Sequence, residues 1–108
     1  METALNESQI KKGILEIPIL MILSKEKYVL EILKKLEKEG LTVPEGTIYP
    51  ILSRLIKLEY LTYRWEESRS GPPRKYFKIT GTGQNYLKDS MSVLENLFKT
   101  ISNLKENL

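Results

Sequence analysis

Val43-Pro44-Glu45-Gly46-Thr47-Ile48-Tyr49-Pro50 opens a helix, and the chain behind it runs into two aromatic strands flanking Ser70-Gly71-Pro72-Pro73-Arg74. Proline is compatible with a helix start, where the backbone N–H lacks a partner in any case, so Pro44 and Pro50 bracket one. After them Ile48, Ile51, Leu52, Leu55 and Leu58 recur at steps of three and four, an apolar stripe that must face a core. Gly46, Tyr49, Pro50, Ser53, Arg54 and Lys57 fall mostly on the other side. A tyrosine beside hydroxyl and cationic groups on a solvent-facing stripe suits a surface that meets phosphates and base edges.

The strands follow directly. Leu61, Tyr63 and Trp65 alternate with Thr62, Arg64 and Glu66, and Lys75 to Ile79 alternates likewise, so both segments read as strands of a hairpin. Glu67 to Arg74 supplies the turn chemistry, with Arg69 and Arg74 on its flanks. Trp65 reads as strand packing. A hairpin tipped with arginine beside such a helix is the arrangement used to reach a DNA groove or backbone; a plain solvated hairpin is the alternative.

Upstream, a helix capped by Asn6 carries Ile10, Ile14, Leu15, Ile17, Met21 and Ile22, while Met1 to Ala4 show no pattern. Pro18 bends or breaks this element, which runs on toward Leu23. Ser24 reads as the cap of the next helix, with Tyr28, Val29, Ile32, Leu33 and Leu36 on its buried face. Gly40 ends it in a left-handed stop, and Leu41 to Pro44 forms the turn of a helix-turn-helix pair. Downstream, Thr80 caps a last helix in which Leu87, Met91, Leu94, Phe98, Ile101 and Leu104 form a heptad-like seam, with Tyr86, Val93 and Leu97 as a second apolar edge. About 25 residues at a rise of 1.5 Å give a rod near 38 Å, longer than so small a body covers. The economical partner for its far half is a second copy. The expected fold is therefore mainly α with a two-stranded β-wing: a winged helix-turn-helix in residues 1–80 and a C-terminal dimerisation helix in 81–108.

Composition narrows the function classes. The 108 residues contain no histidine and no cysteine, which removes the commonest general base, the thiol nucleophile and the usual zinc ligands. An enzyme is not expected, nor a cofactor, nor a metal site. The lack of disulfides fits a cytoplasmic protein. The strongest apolar run, Ile17 to Leu23, is far below the roughly 20 residues of a membrane span. Residues 44–79 hold seven Lys/Arg against four Asp/Glu, whereas the flanking segments are balanced, so the net charge of +3 sits in the helix and wing. That bias is modest, but it coincides with the Tyr49 face.

Gly46-Thr47-Ile48-Tyr49-Pro50 with Leu52, Arg54 and Leu55, and Gly71-Pro72-Pro73-Arg74-Lys75-Tyr76-Phe77-Lys78-Ile79-Thr80 followed by Gly83, resemble the PadR-type transcriptional regulators, and the likeness spans nearly the whole chain. The resemblance implies a homodimer that binds double-stranded DNA at a palindromic operator, acts as a repressor and releases DNA on a small-molecule or stress signal. It implies Glu45 to Glu59 as recognition helix, with Gly46, Thr47, Tyr49, Pro50, Ser53, Arg54 and Lys57 at the DNA and Arg69, Arg74 and Lys75 on the wing. Arg54 lies between the two faces and suits an ion pair to Glu45 or Glu59 equally well. Some small members hold flat hydrophobic compounds between their long helices. The matching position falls near Leu94, with Phe98 and Met91 the neighbouring candidates for an apolar ligand site. The chain departs from the family pattern at Tyr28-Val29-Leu30, where a tyrosine-glycine-tyrosine run is common, and at Tyr60, where a glycine is common after the recognition helix. Two other functions remain open: a winged-helix module that binds another protein, and a small-molecule carrier without DNA activity.

Overall fold

The computed structural model describes the backbone of residues 7–108 and the side chains of residues 14–108. The Asn6 cap and the loose Met1–Ala4 end fall outside the described residues, as does the side chain of Ile10. The elements run α1 (Glu7–Ile22), α2 (Val29–Lys38), α3 (Glu45–Lys57), β1 (Leu61–Ser68), β2 (Gly71–Ile79) and α4 (Gly81–Lys105). This is a winged helix-turn-helix extended by a long C-terminal helix, as the periodicity implies.

Pro18 leaves α1 a single helix, at the loss of the hydrogen bond from position 18 to the Ile14 carbonyl. Leu15, Ile19, Leu20 and Leu23 from this side meet Ile32 and Leu36 of α2 and the Ile48, Ile51, Leu52 and Leu55 stripe of α3 in one core. Leu61, Phe77 and Ile79 close it at the root of the hairpin.

The start of α2 differs from the expectation. Ser24 does not cap it: the chain turns at Leu23-Ser24, bends at Lys25 and bridges to β2 at Lys27 before reaching Tyr28, which is the N-cap, and the Glu31 carboxylate accepts from the Tyr28 N–H at 3.1 Å. The reason is tertiary. Lys27 exchanges two backbone hydrogen bonds with Phe77, at 3.1 and 2.8 Å, and Leu23 accepts from Ile79 N–H at 2.8 Å. The 23–28 segment is thereby spent as a short third partner of β2, and helix begins only when that pairing stops. Tyr28, expected on the buried helical face, packs its ring edge-on against Tyr76 instead.

Helix ends follow one motif twice. Gly40 takes φ +95, its N–H bonds to the Glu37 carbonyl and that of Leu41 to Leu36, the paired bonds of a Schellman stop. At the end of α3 the same bonds run from Glu59 to Ile56 and from Tyr60 to Leu55, with Glu59 at φ +65 in the glycine position. Helix α3 is thus two residues shorter than the expected Glu45–Glu59, and the left-handed turn falls on Glu59, one residue before the Tyr60 that stands where a glycine is common. A non-glycine residue there costs about 1–2 kcal/mol. Glu59→Gly is accordingly expected to hold or raise stability by up to about 1 kcal/mol, read from urea midpoints at unchanged m-value.

The hairpin is longer than the alternation suggests. Register runs from Leu61↔Ile79 to Ser68↔Gly71 with an irregularity between Glu66 and Ser68, so the turn is only Arg69-Ser70 and Arg74 lies on a strand, not at the tip. Only the root of β1 is covered. Trp65 is 62% exposed, which overturns its reading as packing: on β1 only Leu61 reaches the core, while β2 stays covered as far out as Phe77.

The Thr80 cap of α4 is present, its hydroxyl accepting from Gly83 N–H at 2.9 Å while donating to the Glu59 carbonyl at 2.7 Å. Tyr86 stacks on Tyr60 with ring centroids 4.1 Å apart, and Leu87 packs against the core. The first turns of α4 are therefore built into the winged-helix body, and the later turns run out beyond it.

Candidate nucleic-acid interface

Because Ile48, Ile51, Leu52 and Leu55 point inward, α3 turns Gly46, Tyr49, Pro50, Ser53 and Lys57 outward, and all five are exposed. Thr47 sits half-buried at the edge, its N–H bonded to the Pro44 carbonyl. A Cβ built at Gly46 would meet nothing within 4 Å, so no atom of the described chain requires glycine there. The Tyr49 hydroxyl donates to Glu45 at 3.1 Å; partial burial and that carboxylate both push its pKa upward, so it stays a neutral phenol and a hydrogen-bond donor at neutral pH.

The Tyr49 and Ser53 side of α3 faces the wing across a cleft of about 390 Å³, which Tyr28, Trp65, Arg74 and Lys75 also border. Aromatic rings hold the cations in place. Arg74 lies over the Tyr28 ring at 4.5 Å, and Lys75 Nζ is 3.8 Å from the Tyr63 ring centroid. The structure thus brings Tyr49, Ser53, Arg74 and Lys75 around one space, whereas Arg69 stands apart at the hairpin turn and Lys57 at the far end of α3.

Arg54 has neither of its expected partners. Its guanidinium pairs with Glu16 of α1, 38 residues away, and the other oxygen of that carboxylate accepts from the Tyr86 hydroxyl at 2.9 Å. Helical spacing favours Glu45 and Glu59 only when the helix is taken alone; α1 packs alongside α3 and offers a nearer, mostly buried carboxylate.

The wing is pinned by a contact that the sequence does not announce. Glu26 accepts from Arg64 through two hydrogen bonds of 2.7 Å each, a fork that ties β1 to the segment before α2. Hydrogen bonding from Arg64 lowers the Glu26 pKa below its ordinary value of 4.5, and the same pair raises that of Arg64. A depressed carboxylate pKa means that the contact is intact above about pH 4.5 and is lost as pH falls through the lower folded value. Glu26→Gln is expected to speed amide exchange in β1 and β2 at neutral pH while leaving the α3 amides unchanged, measured by hydrogen–deuterium exchange.

Away from this cleft, α4 exposes Val93, Leu97, Phe98, Ile101 and Leu104. A groove of about 420 Å³ runs between α1 and α4, lined by Ile14, Ile17, Tyr86, Val93, Leu94 and Leu97, with Asp89 and Ser90 at its polar edge. Of the expected dimer seam, Leu87 is partly spent on the core, Met91 and Leu94 are half-buried, and Phe98, Ile101 and Leu104 are open. Of the three ligand candidates only Leu94 lines the groove; Met91 and Phe98 do not. Glu16, Glu45, Glu26 and Tyr28 were missed as participants, and only Glu45, four residues before Tyr49 on the same helix, had a signal in the sequence.

The family model described as "Transcriptional regulator PadR-like family" matches residues 19–89. The chain is similar to a solved PadR-like transcription factor of Bacteroides fragilis, with 41% identity, 91% of this chain and 96% of that one covered, and a TM-score of 0.79. It is also similar to a PadR-like transcriptional regulator of Bacillus cereus, with 39% identity, 89% and 95% covered and a TM-score of 0.76. A PadR-family regulator of Eggerthella lenta is 26% identical over 93% of this chain and 88% of that one, at a TM-score of 0.87. No described helix is long and apolar enough to cross a membrane.

Proposed function

This chain belongs to the PadR-like family of transcriptional regulators, a family of DNA-binding proteins rather than enzymes, and from that premise we propose that it is a homodimeric repressor of a palindromic operator. The carrying observation is the cleft in which Tyr49 and Ser53 of α3 face Arg74 and Lys75 of the wing. Gly46, Thr47, Tyr49, Pro50, Ser53 and Lys57 enter the major groove or lie along its rim. Arg69, Arg74 and Lys75 engage the adjoining backbone and minor groove. Gly46 supports this reading from another side, since a helix N-terminus without a Cβ at this open position admits the close approach of a phosphate. Residues 81–108 join two copies through the exposed face of α4, giving half-sites about 34–36 Å apart or a multiple. A hydrophobic effector lodged between the long helices of the two copies, near Leu94, relieves repression. The site of action is the cytoplasm, with the DNA.

The test is fluorescence anisotropy with the chain's own upstream duplex and a scrambled one across a salt series. Preference for the native duplex at moderate salt is expected. Lys57→Ala should weaken binding to all duplexes alike and reduce the slope of log affinity against log salt by about 1, as the loss of one phosphate contact requires. Equal, salt-erased binding to both duplexes would overturn the operator reading.

A further inference from the structure

Resting on the dimeric operator-binding reading, we infer that Glu16 is a positioning residue for DNA binding: it joins the α1–α4 groove, occupied by a second copy of this chain, to the recognition helix through Tyr86 on one oxygen and Arg54 on the other. Three helices meet at this one carboxylate. Oε2 meets the Arg54 guanidinium of α3, and Oε1 accepts the Tyr86 hydroxyl of α4 at 2.9 Å. Glu16 is 9% exposed among apolar neighbours such as Leu15 and Ile19, a setting in which an ionised carboxylate needs both partners.

What the arrangement supplies is direction. The apolar stripe of α3 is a broad contact that tolerates small rotations about the helix axis. A charged hydrogen bond from Arg54 does not, because its strength falls steeply with angle. Arg54 follows Ser53 and precedes Lys57 by one turn, so holding it selects which side chains face outward. Tyr86 is placed to feel the partner: its ring lines the groove with Ile14, Ile17 and Leu97 and stacks on Tyr60, while its hydroxyl reaches Glu16. The exposed Phe98, Ile101 and Leu104 continue from the Leu97 end of the groove along α4, and a second copy's helix is the occupant that covers groove and stripe together. Dimer assembly and the azimuth of α3 are then linked by two hydrogen bonds.

Four variants of the full chain test this: Glu16→Gln, Tyr86→Phe, Arg54→Ala and the Glu16→Gln/Tyr86→Phe double, each assayed for operator affinity across a salt series and for dimer dissociation by sedimentation. Tyr86→Phe removes one oxygen and keeps the stack on Tyr60, so it remains informative if Glu16→Gln folds poorly. Each single change is expected to weaken operator binding roughly tenfold with the salt slope unchanged, as for a lost link in a network and not a lost phosphate contact. The double variant should be no weaker than Glu16→Gln alone, and dimerisation should shift less than about threefold. Operator affinity at the wild-type level in Glu16→Gln and Tyr86→Phe overturns the inference while leaving the operator reading intact. So does an Arg54→Ala slope reduced by about 1, which would make Arg54 a phosphate contact. A wild-type protein that neither dimerises nor prefers its operator overturns both readings at once.

Discussion

Gly83→Ala is expected to lower stability by about 3 kcal/mol or more, enough to abolish the folded state of a small domain at elevated temperature. A Cβ at this position would stand 2.1 Å from the Tyr60 carbonyl oxygen and 2.8 Å from Ile79 Cγ1. The oxygen it strikes is not a free end. Tyr60 O accepts from Thr80 N–H at 3.0 Å, and Tyr60 N–H is the closing bond of the α3 stop, so backbone on both sides resists displacement. Gly81 supplies the control on the same helical turn: a Cβ there meets nothing within 4 Å, and Gly81→Ala should be neutral or gain up to about 1 kcal/mol from reduced unfolded-state entropy. Thermal unfolding followed by circular dichroism separates the two, with Gly83→Ala expected to lose roughly 10 °C or more. Equal melting temperatures for the two variants would mean that α3 and α4 are not locked at this point.

The second large effect belongs to α4. Phe98→Asp combined with Ile101→Asp places two carboxylates on the exposed apolar face, where a single chain has little to lose because both side chains are already open to water. A dimer joined there has much to lose. Operator affinity is expected to fall by about 10²–10⁴, the gain that linking two half-site binders confers, and sedimentation should give a monomer. Single half-site duplexes should bind the variant as they bind one wild-type protomer. A variant that still sediments as a dimer and binds its operator at wild-type affinity would move the two-fold interface elsewhere on the molecule.

Fold and interface were legible in the sequence to different depths. The outward face of α3 follows from apolar periodicity alone, and the structure places Gly46, Tyr49, Pro50, Ser53 and Lys57 on it. Gly40, the Thr80 cap and the length of α4 were equally accessible, since each depends on bonds within a few residues. Trp65 was misjudged because alternation assigns a side chain to a face of a strand and is silent on whether anything covers that face. Glu59 was missed as the strained residue because a missing glycine points to a neighbourhood, and only the hydrogen bonds of the helix stop say which residue turns left-handed.

The sequence by itself determined the order of helices and strands, the buried stripe of α3, the end of α2 and the cap of α4, because these are settled by local backbone bonding and by the spacing of apolar residues. Only the tertiary structure decided that α2 begins after Tyr28, that Arg54 turns to Glu16, that Arg64 forks onto Glu26 and that Gly83 admits no side chain. Each of those outcomes joins groups 23 to 56 positions apart, or a residue to whatever packs across from it. Charge and size are written at every position, but which of many exposed acids a given arginine meets is set by the distances that folding imposes.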